Sequence, residues 1–589
     1  MKKRGISWLM ILMLVLSSMV IGLAGCNQQQ TPAPAPPQED GNGNEEGSGD
    51  SGSDTDPVDS GEVPDEVQFF NYPFMADPRN IDGAMTNFML DLTIIGNVHQ
   101  TMTELIFVDE VLTMVPGAAE SWEISEDGLV YTFNLRDMNW EDGQALTAHD
   151  YALTLFRALD PNSGSVKAGD LFNIENALEY FQGNADKEDV GIRVPDDKTL
   201  EITLKQVTPY FINLTYAGLF TPTRQDMVDQ YGEQFGIIGD SILASGPFKV
   251  KEWVNDVHLI LEKNENYWDA DSVLLETITF KMIRDVQAIM SELMNGTIDR
   301  TSVTIQEWRD RLITTGNFSY GDYVLAGTYF LIFNTDYEVN GVKPLSNVKV
   351  RQAISAAIDR EEATFMLRGD MAIPATGFIP STVGLDNHNF REVTNYNPIE
   401  AIQARVPDPK ALLEEGLAEL GISINDFTIE FLAGGTTAQH RSEAEFFQEV
   451  LQRELGLKLE ITQVETAVRT QNSRAGDFGI TYSLWYAGQN DPGIYFNNWL
   501  TNLETHSYKT GYDNQQFDEY VLAANSTMDE EIRRHNFNRA EWLLAEEDCI
   551  VAPIYHPISS MMTAKYMRGF VNQNFAPTAF KTVYTVGRE

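Results

Sequence analysis

Cysteine is almost absent. The 589 residues hold only Cys26 and Cys549, so no disulfide framework can organise the chain. Positive charge is scarce too: 41 Lys and Arg stand against 87 Asp and Glu, a formal net charge of −46. That deficit argues against nucleic acid as a partner and against a polybasic grip on anionic lipid. Catalytic signatures are missing. There is no Gly-x-Ser-x-Gly, no His-Glu-x-x-His and no Gly-x-x-x-x-Gly-Lys-Ser/Thr. The eight His residues are scattered without ligand spacing. Asp40, Asn42 and Asn44 begin like a calcium loop, but Glu45 stands where the turn glycine belongs and Ser51 occupies the twelfth position. No catalytic residue, metal or cofactor is therefore expected, and the chain reads as a non-enzyme. Long apolar runs are limited to one, at the N-terminus.

That run extends from Trp8 to Leu23 behind Lys2, Lys3 and Arg4, and Leu23-Ala24-Gly25-Cys26 closes it. A basic start, a short apolar stretch and small residues before the cut define a secretory signal. The cysteine resembles that of a bacterial lipobox, where the thiol carries diacylglycerol. The resemblance implies a signal peptide over 1–25, lipidation at Cys26 and a place on the outer face of the cytoplasmic membrane (the periplasmic side in a two-membrane host). Residues 27–66 contain no Lys, Arg or His and are rich in Gly, Ser, Pro, Asp and Glu. Such a stretch buries too little apolar surface to offset its ordering entropy. The segment 26–66 is expected to be a disordered acidic tether, with an r.m.s. span of roughly 35 Å.

The remaining residues are too many for one ordinary core and predict two or three subdomains. Their pattern is mixed α/β. Leu129, Tyr131, Phe133 and Leu135 alternate, as do Leu200, Ile202 and Leu204, and Val257, Leu259 and Leu261; these predict half-buried strands. Val286, Ile289, Met290, Leu293 and Met294 follow helical spacing with Gly296 as a stop. Val350, Ala353, Ile354, Ala357 and Ile358 do the same behind Ser346 and Asn347 as N-caps. Further helices are predicted near 410–420, 440–455 and 530–547. Cys549 reads as a small core residue.

From Val115 the chain reads VPGAAESWEISEDGLVYTFNLRDMNWEDGQALTAHDYALTLFRALDP. In order after it come SGPFKVKEW at 245, LEKNENYWDAD at 261, GTYFLIFNTD at 327, NVKVRQAISAAIDRE at 347, PATGFIP at 374 and IVAPIYHP at 550. This set resembles the extracellular solute-binding proteins of oligopeptide and dipeptide ABC importers, in their lipoprotein form. The resemblance implies a periplasmic-binding-protein-like α/β fold of two lobes with an additional inserted domain. Lobe I would comprise 67–94, 223–326 and 555–589, the extra domain 95–222, and lobe II 327–554. It also implies that a ligand in the cleft closes the hinged lobes. A monomer would then deliver its cargo to a membrane permease whose ATPase is a separate chain.

A peptide offers a donor and an acceptor at nearly every residue, and cleft strands can pair with both whatever the side chains. By resemblance, the main chain of Asp82, Gly83 and Ala84 meets the ligand. Gly327, Thr328, Tyr329 and Phe330 supply a cleft-facing crossover, and Tyr482 to Tyr486 form the strand near the ligand's N-terminal part, with Trp485 in the pocket. One departure stands out. Peptide binders place an Asp three residues after that Trp, where it pairs with the ligand's α-ammonium; here the residue is Gly488. Asp82, Asp491 or another carboxylate could substitute, or the ligand has no free amine there. Peptide is the leading cargo. A sugar, opine or metal chelate is the alternative within the class, and an extracellular hydrolase or signalling receptor the distant one.

Overall fold

The computed structural model describes residues 62–108, 111–385, 388–501, 503 and 506–588. The expected signal peptide, Cys26 and most of the expected tether lie outside the described residues. The last residues of that tether depart from expectation. Asp65 N donates to Thr585 O at 3.0 Å, and Glu62 pairs with Arg568 at 3.0 Å, so the segment from 62 is held against the C-terminus.

The alternating strand at 129–135 forms as Val130–Leu135, with Tyr131 and Phe133 fully buried. It joins Ala119–Ile124, Thr199–Thr203 and Ile192–Asp196 in a four-stranded sheet. The helix Ala148–Leu159 covers it, burying Tyr151, Leu155 and Leu159. Asp150 fixes the start of that helix by accepting from Thr147 N at 2.8 Å.

A second four-stranded sheet has the order Phe69–Phe74, Thr277–Met282, His258–Lys263, Phe248–Val254. Leu259 and Leu261 point into its core, but Val257 is exposed, because the turn takes one residue more than the alternation suggests. The helix Met89–Val98 packs whole on this core through Ile94, Ile95 and Val98, so the expected boundary at 94/95 falls within it. The C-terminal segment returns here. Asn97 donates to Thr578 O at 2.8 Å and accepts from Phe580 N at 2.8 Å.

The largest sheet has eight strands. Its spine is the 14-residue strand Val551–Ala564. From Val551 to Pro557 this strand pairs with Gly327–Phe333 and Ala372–Pro374; from Ile558 onward it pairs with Phe318–Val324 and Arg300–Val303. One strand thus leaves one lobe and enters the other. Ile480–Tyr486, Ile429–Gly434 and Leu459–Val464 extend the sheet on the second lobe's side. Each face carries its own core. Leu331, Phe333 and Phe431 lie in one, Phe330, Ile332 and Phe378 in the other. The helices expected near 286, 348, 410, 440 and 530 form as Val286–Met294, Val348–Ala356, Pro409–Glu419, Ala438–Leu455 and Glu530–Trp542. Asn347 caps the second by accepting from Lys349 N. Cys549 is fully buried.

Candidate functional site

Beside the crossing strand, where its partner strand Phe318–Val324 ends, lies a cavity of about 420 Å³. Four distant segments form its walls. They are the hairpin residues Phe107 and Leu112, the strand end at Tyr323 and Val324, the residues Ser381, Thr382, Gly384, His388, Asn389 and Glu392 with Asn490 beside them, and the C-terminal run Asn572–Phe575. Amide side chains pin these segments together. Asn490 Oδ1 accepts from Gly384 N at 2.6 Å, and its main-chain oxygen accepts from Asn213 Nδ2 at 3.0 Å. Asn574 Nδ2 donates to Val324 O at 3.1 Å. A chamber of this size, whose wall mixes the amides of Asn389, Asn490, Asn572, Gln573 and Asn574 with Phe107, Leu112, Tyr323, Val324 and Phe575, suits a ligand with both polar and apolar groups.

Asp82, Gly83 and Ala84 are buried, Ala84 in the inserted domain's core, and none of them lines this wall. Their main chain is already engaged: Ala84 N donates to Asp82 Oδ1 at 3.0 Å, and Ala84 O accepts from Ser165 Oγ at 2.5 Å. A Cβ on Gly83 would collide with the Gly218 carbonyl. Asp82 holds Arg157 through two bonds of 2.9 and 2.7 Å.

The crossover and the aromatic strand do come together. Gly327 lies opposite Tyr486, Thr328 opposite Trp485, and Phe330 opposite Ser483. The Tyr486 ring lies over Gly327, where a Cβ would strike it. On the same face Tyr329 stacks on Tyr482, with centroids 5.4 Å apart, and packs on Tyr555 at 4.7 Å. The Tyr482 and Tyr555 hydroxyls are hydrogen-bonded to each other. Burial pushes both hydroxyls well above the ordinary tyrosine range, so this cluster stays neutral. Arg368 lies over Tyr329 and pairs with Glu443 at 2.8 Å. Tyr482 and Tyr329 therefore belong to a packed cluster. Phe330 is core on the opposite face, and Thr328 is buried there, donating to Phe378 O at 2.8 Å.

Trp485 is half-buried against the second core, and its Nε1 has no hydrogen-bond partner among the described residues. Gly488 is exposed, and a Cβ there would meet nothing within 4 Å. Asp491 is buried, accepts from Gly493 N at 2.8 Å and is paired with Arg533. Of the run Trp485–Asp491, Asn490 is the residue on the cavity wall. Sequence reading missed His388, Glu392 and the Asn572–Phe575 segment. The only available signal was the position of Ser381–Glu392 just after the PATGFIP segment. Among the described residues no group of His, Cys, Asp and Glu is arranged to hold a metal.

A two-lobed α/β molecule joined by a crossing strand, with a chamber at the crossing, has the architecture of a solute-binding protein. Residues 113–507 match the bacterial extracellular solute-binding proteins, family 5 middle region, and the chain belongs to that family. The dipeptide-binding protein DppE of Bacillus subtilis is 28% identical over 519 residues, covering 87% of this chain and 90% of its own. The substrate-binding domain of an oligopeptide ABC transporter from Bacillus anthracis has a TM-score of 0.67 and 28% identity, covering 89% of this chain and 100% of that one. The murein tripeptide-binding protein MppA, in its unliganded open form, has a TM-score of 0.75 at 24% identity and covers 90% of this chain and 99% of that one. This last likeness is one of fold.

Proposed function

We propose that this protein captures peptides in the interlobe cavity and delivers them to the membrane permease of an ABC importer, whose ATPase is a separate chain. The observation that carries the proposal is a family match spanning the middle of the chain, joined to relatives named for dipeptides and oligopeptides that align over most of both lengths. The cavity of about 420 Å³ supports it, with five amide side chains on its wall to pair with peptide donors and acceptors and apolar side chains to receive peptide side chains. The lobes hinge about the crossing strand, and closure over the ligand is a shift toward a closed population. The protein acts without catalysis, as a monomer held by lipid on Cys26 at the outer face of the cytoplasmic membrane. The acidic segment after Cys26 keeps the binding body off the lipid surface.

Native mass spectrometry of freshly purified protein tests the cargo. Co-purified masses that fragment as peptides are expected; a sugar, a chelate or no ligand in a protein that also ignores added peptides overturns the reading. A peptide at 100 times its Kd stabilises the fold by about 2.7 kcal/mol. Cys26→Ala tests the anchor: the variant is expected in the soluble fraction or stalled before processing, and a membrane-bound, normally processed variant contradicts it.

A further inference from the structure

The peptide reading leaves a ligand ammonium to be accounted for, and the inference below rests on that reading. Three positions offered themselves in the sequence. Gly488 has no carboxylate. Asp82 is buried and held by both Arg157 nitrogens. Asp491 is buried, paired with Arg533 and bonded to Gly493 N. Neither aspartate can turn to a ligand without breaking its ion pair with a guanidinium, which costs more than a new exposed pair returns.

The cavity wall supplies another group. Among the described residues that line it, Glu392 is the one carboxylate, and no Lys or Arg accompanies it. Its single polar contact is a long one, from Asn389 Nδ2 at 3.5 Å. Its mount is firm. Phe390 is fully buried, and Asn389 caps the turn by accepting from Arg391 N at 2.9 Å. Arg391 is locked to the buried Glu541 and to Tyr396 O. Glu541 in turn accepts from Phe378 N at 2.7 Å, which fixes the start of the same loop. A carboxylate on a rigid base, at the mouth of a chamber without positive side chains, is preorganised for a cation.

We propose that Glu392 accepts the ligand's primary ammonium and sets the orientation of the bound peptide in the cavity. The ammonium can come from the peptide N-terminus or from a lysine side chain. The test incubates the mature protein with three mixed-sequence tetrapeptide pools: lysine-free with free N-termini, lysine-free and N-acetylated, and N-acetylated with lysine. Native mass spectrometry reads the bound fractions. Wild type is expected to retain the free-amine pool at least tenfold better than the acetylated lysine-free pool. Glu392→Gln should abolish that preference while keeping acetylated binding, and Glu392→Asp should restore part of it. Acetylated lysine peptides held like free-amine ones assign the site to a side-chain ammonium; weak binding of that pool assigns it to the N-terminus. An unchanged preference in Glu392→Gln overturns the inference and leaves peptide binding intact. So does peptide binding by wild type without any preference. If wild type retains none of the pools, the peptide reading itself fails and the inference falls with it. An unchanged melting temperature in Glu392→Gln confirms that the fold is unaffected.

Discussion

Two cavities border the C-terminal segment and share Gln573 in their walls, yet they differ in what their polar atoms are doing. The first, of about 180 Å³, lies where the second-sheet lobe meets the inserted domain. Most of its polar groups bond to one another, although His99 Nδ1 and Tyr216 OH find no hydrogen-bond partner among the described residues. Gln100 Oε1 accepts from Tyr267 OH at 2.6 Å and from Trp268 Nε1 at 3.1 Å, while its amide donates to Glu104 at 2.9 Å. Lys581 pairs with Asp269 at 3.0 Å. Burial holds His99, on the same wall, down to about 4, so it stays neutral. The second cavity, of about 420 Å³, uses its amides to join loops but leaves Glu392 and His388 exposed. Gln573 separates the two by folding back on its own loop, accepting from Phe575 N at 2.6 Å and Ala576 N at 2.7 Å. The first cavity is knitted across its walls by hydrogen bonds and an ion pair; the second keeps an exposed carboxylate with one long contact.

The comparison breaks most severely if the buried pair behind the interlobe wall is cut. Arg533→Met strands Asp491 one residue from Asn490 and is expected to cost about 3–5 kcal/mol in denaturant unfolding. Adding Asp491→Asn should recover much of that loss, because the uncompensated charge is then gone. No loss in the single variant would mean that the pair does not hold the wall.

A slightly smaller effect is expected from pH. His556 sits on the crossing strand beneath Thr328, with its Nδ1 3.2 Å from Gly327 O, and burial pushes it down to about 3. Its folded pKa lies below its unfolded value near 6.5, so the unfolded chain binds the proton first. Its stabilising effect is complete above about pH 6.5 and is lost as the pH falls toward 3. From pH 7 to 4 the loss amounts to about 3 kcal/mol. His556→Asn should flatten the acid limb of the stability curve by that amount, and an equally steep limb would contradict the assignment.

Filling each cavity separately sharpens the contrast. Thr382→Trp, on the interlobe wall, is expected to weaken peptide binding at least tenfold, about 1.4 kcal/mol. Ala576→Leu, in the junction cavity, should leave affinity within twofold. Calorimetry with a bound tetrapeptide reads both, and equal losses would merge the two cavities into one site. The smallest effect concerns the crossover. Gly327→Ala meets the Tyr486 ring, which can swing away, at a cost of about 1 kcal/mol. Tyr486→Ala should relieve it in a double-variant cycle.

The legible features of the sequence were those carried by local pattern. The alternation through Tyr131 and Phe133 gave a strand, and Asn347 marked a helix start, because period and capping are short-range effects. Family resemblance singled out Gly327–Phe330 and Tyr482–Tyr486, but their pairing with each other appears only in the structure. The site itself was hidden, because its chemistry depends on partners far apart in the chain. Asp82 looked available until Arg157 was seen to hold it, and Asp491 until Arg533 did. Glu392 stands in a five-residue helix with no periodic signal. Nothing short-range shows that Phe107, Tyr323, Asn490 and Asn574 share one chamber.

Hydrogen exchange with and without a mixed-sequence tetrapeptide pool tests most directly whether the interlobe chamber is the receptor. Slower exchange is predicted over 381–392, 488–492 and 572–575, with 96–106 and 577–582 unchanged. Protection confined to 96–106 and 577–582, with bound peptide demonstrated in the same sample, would contradict it.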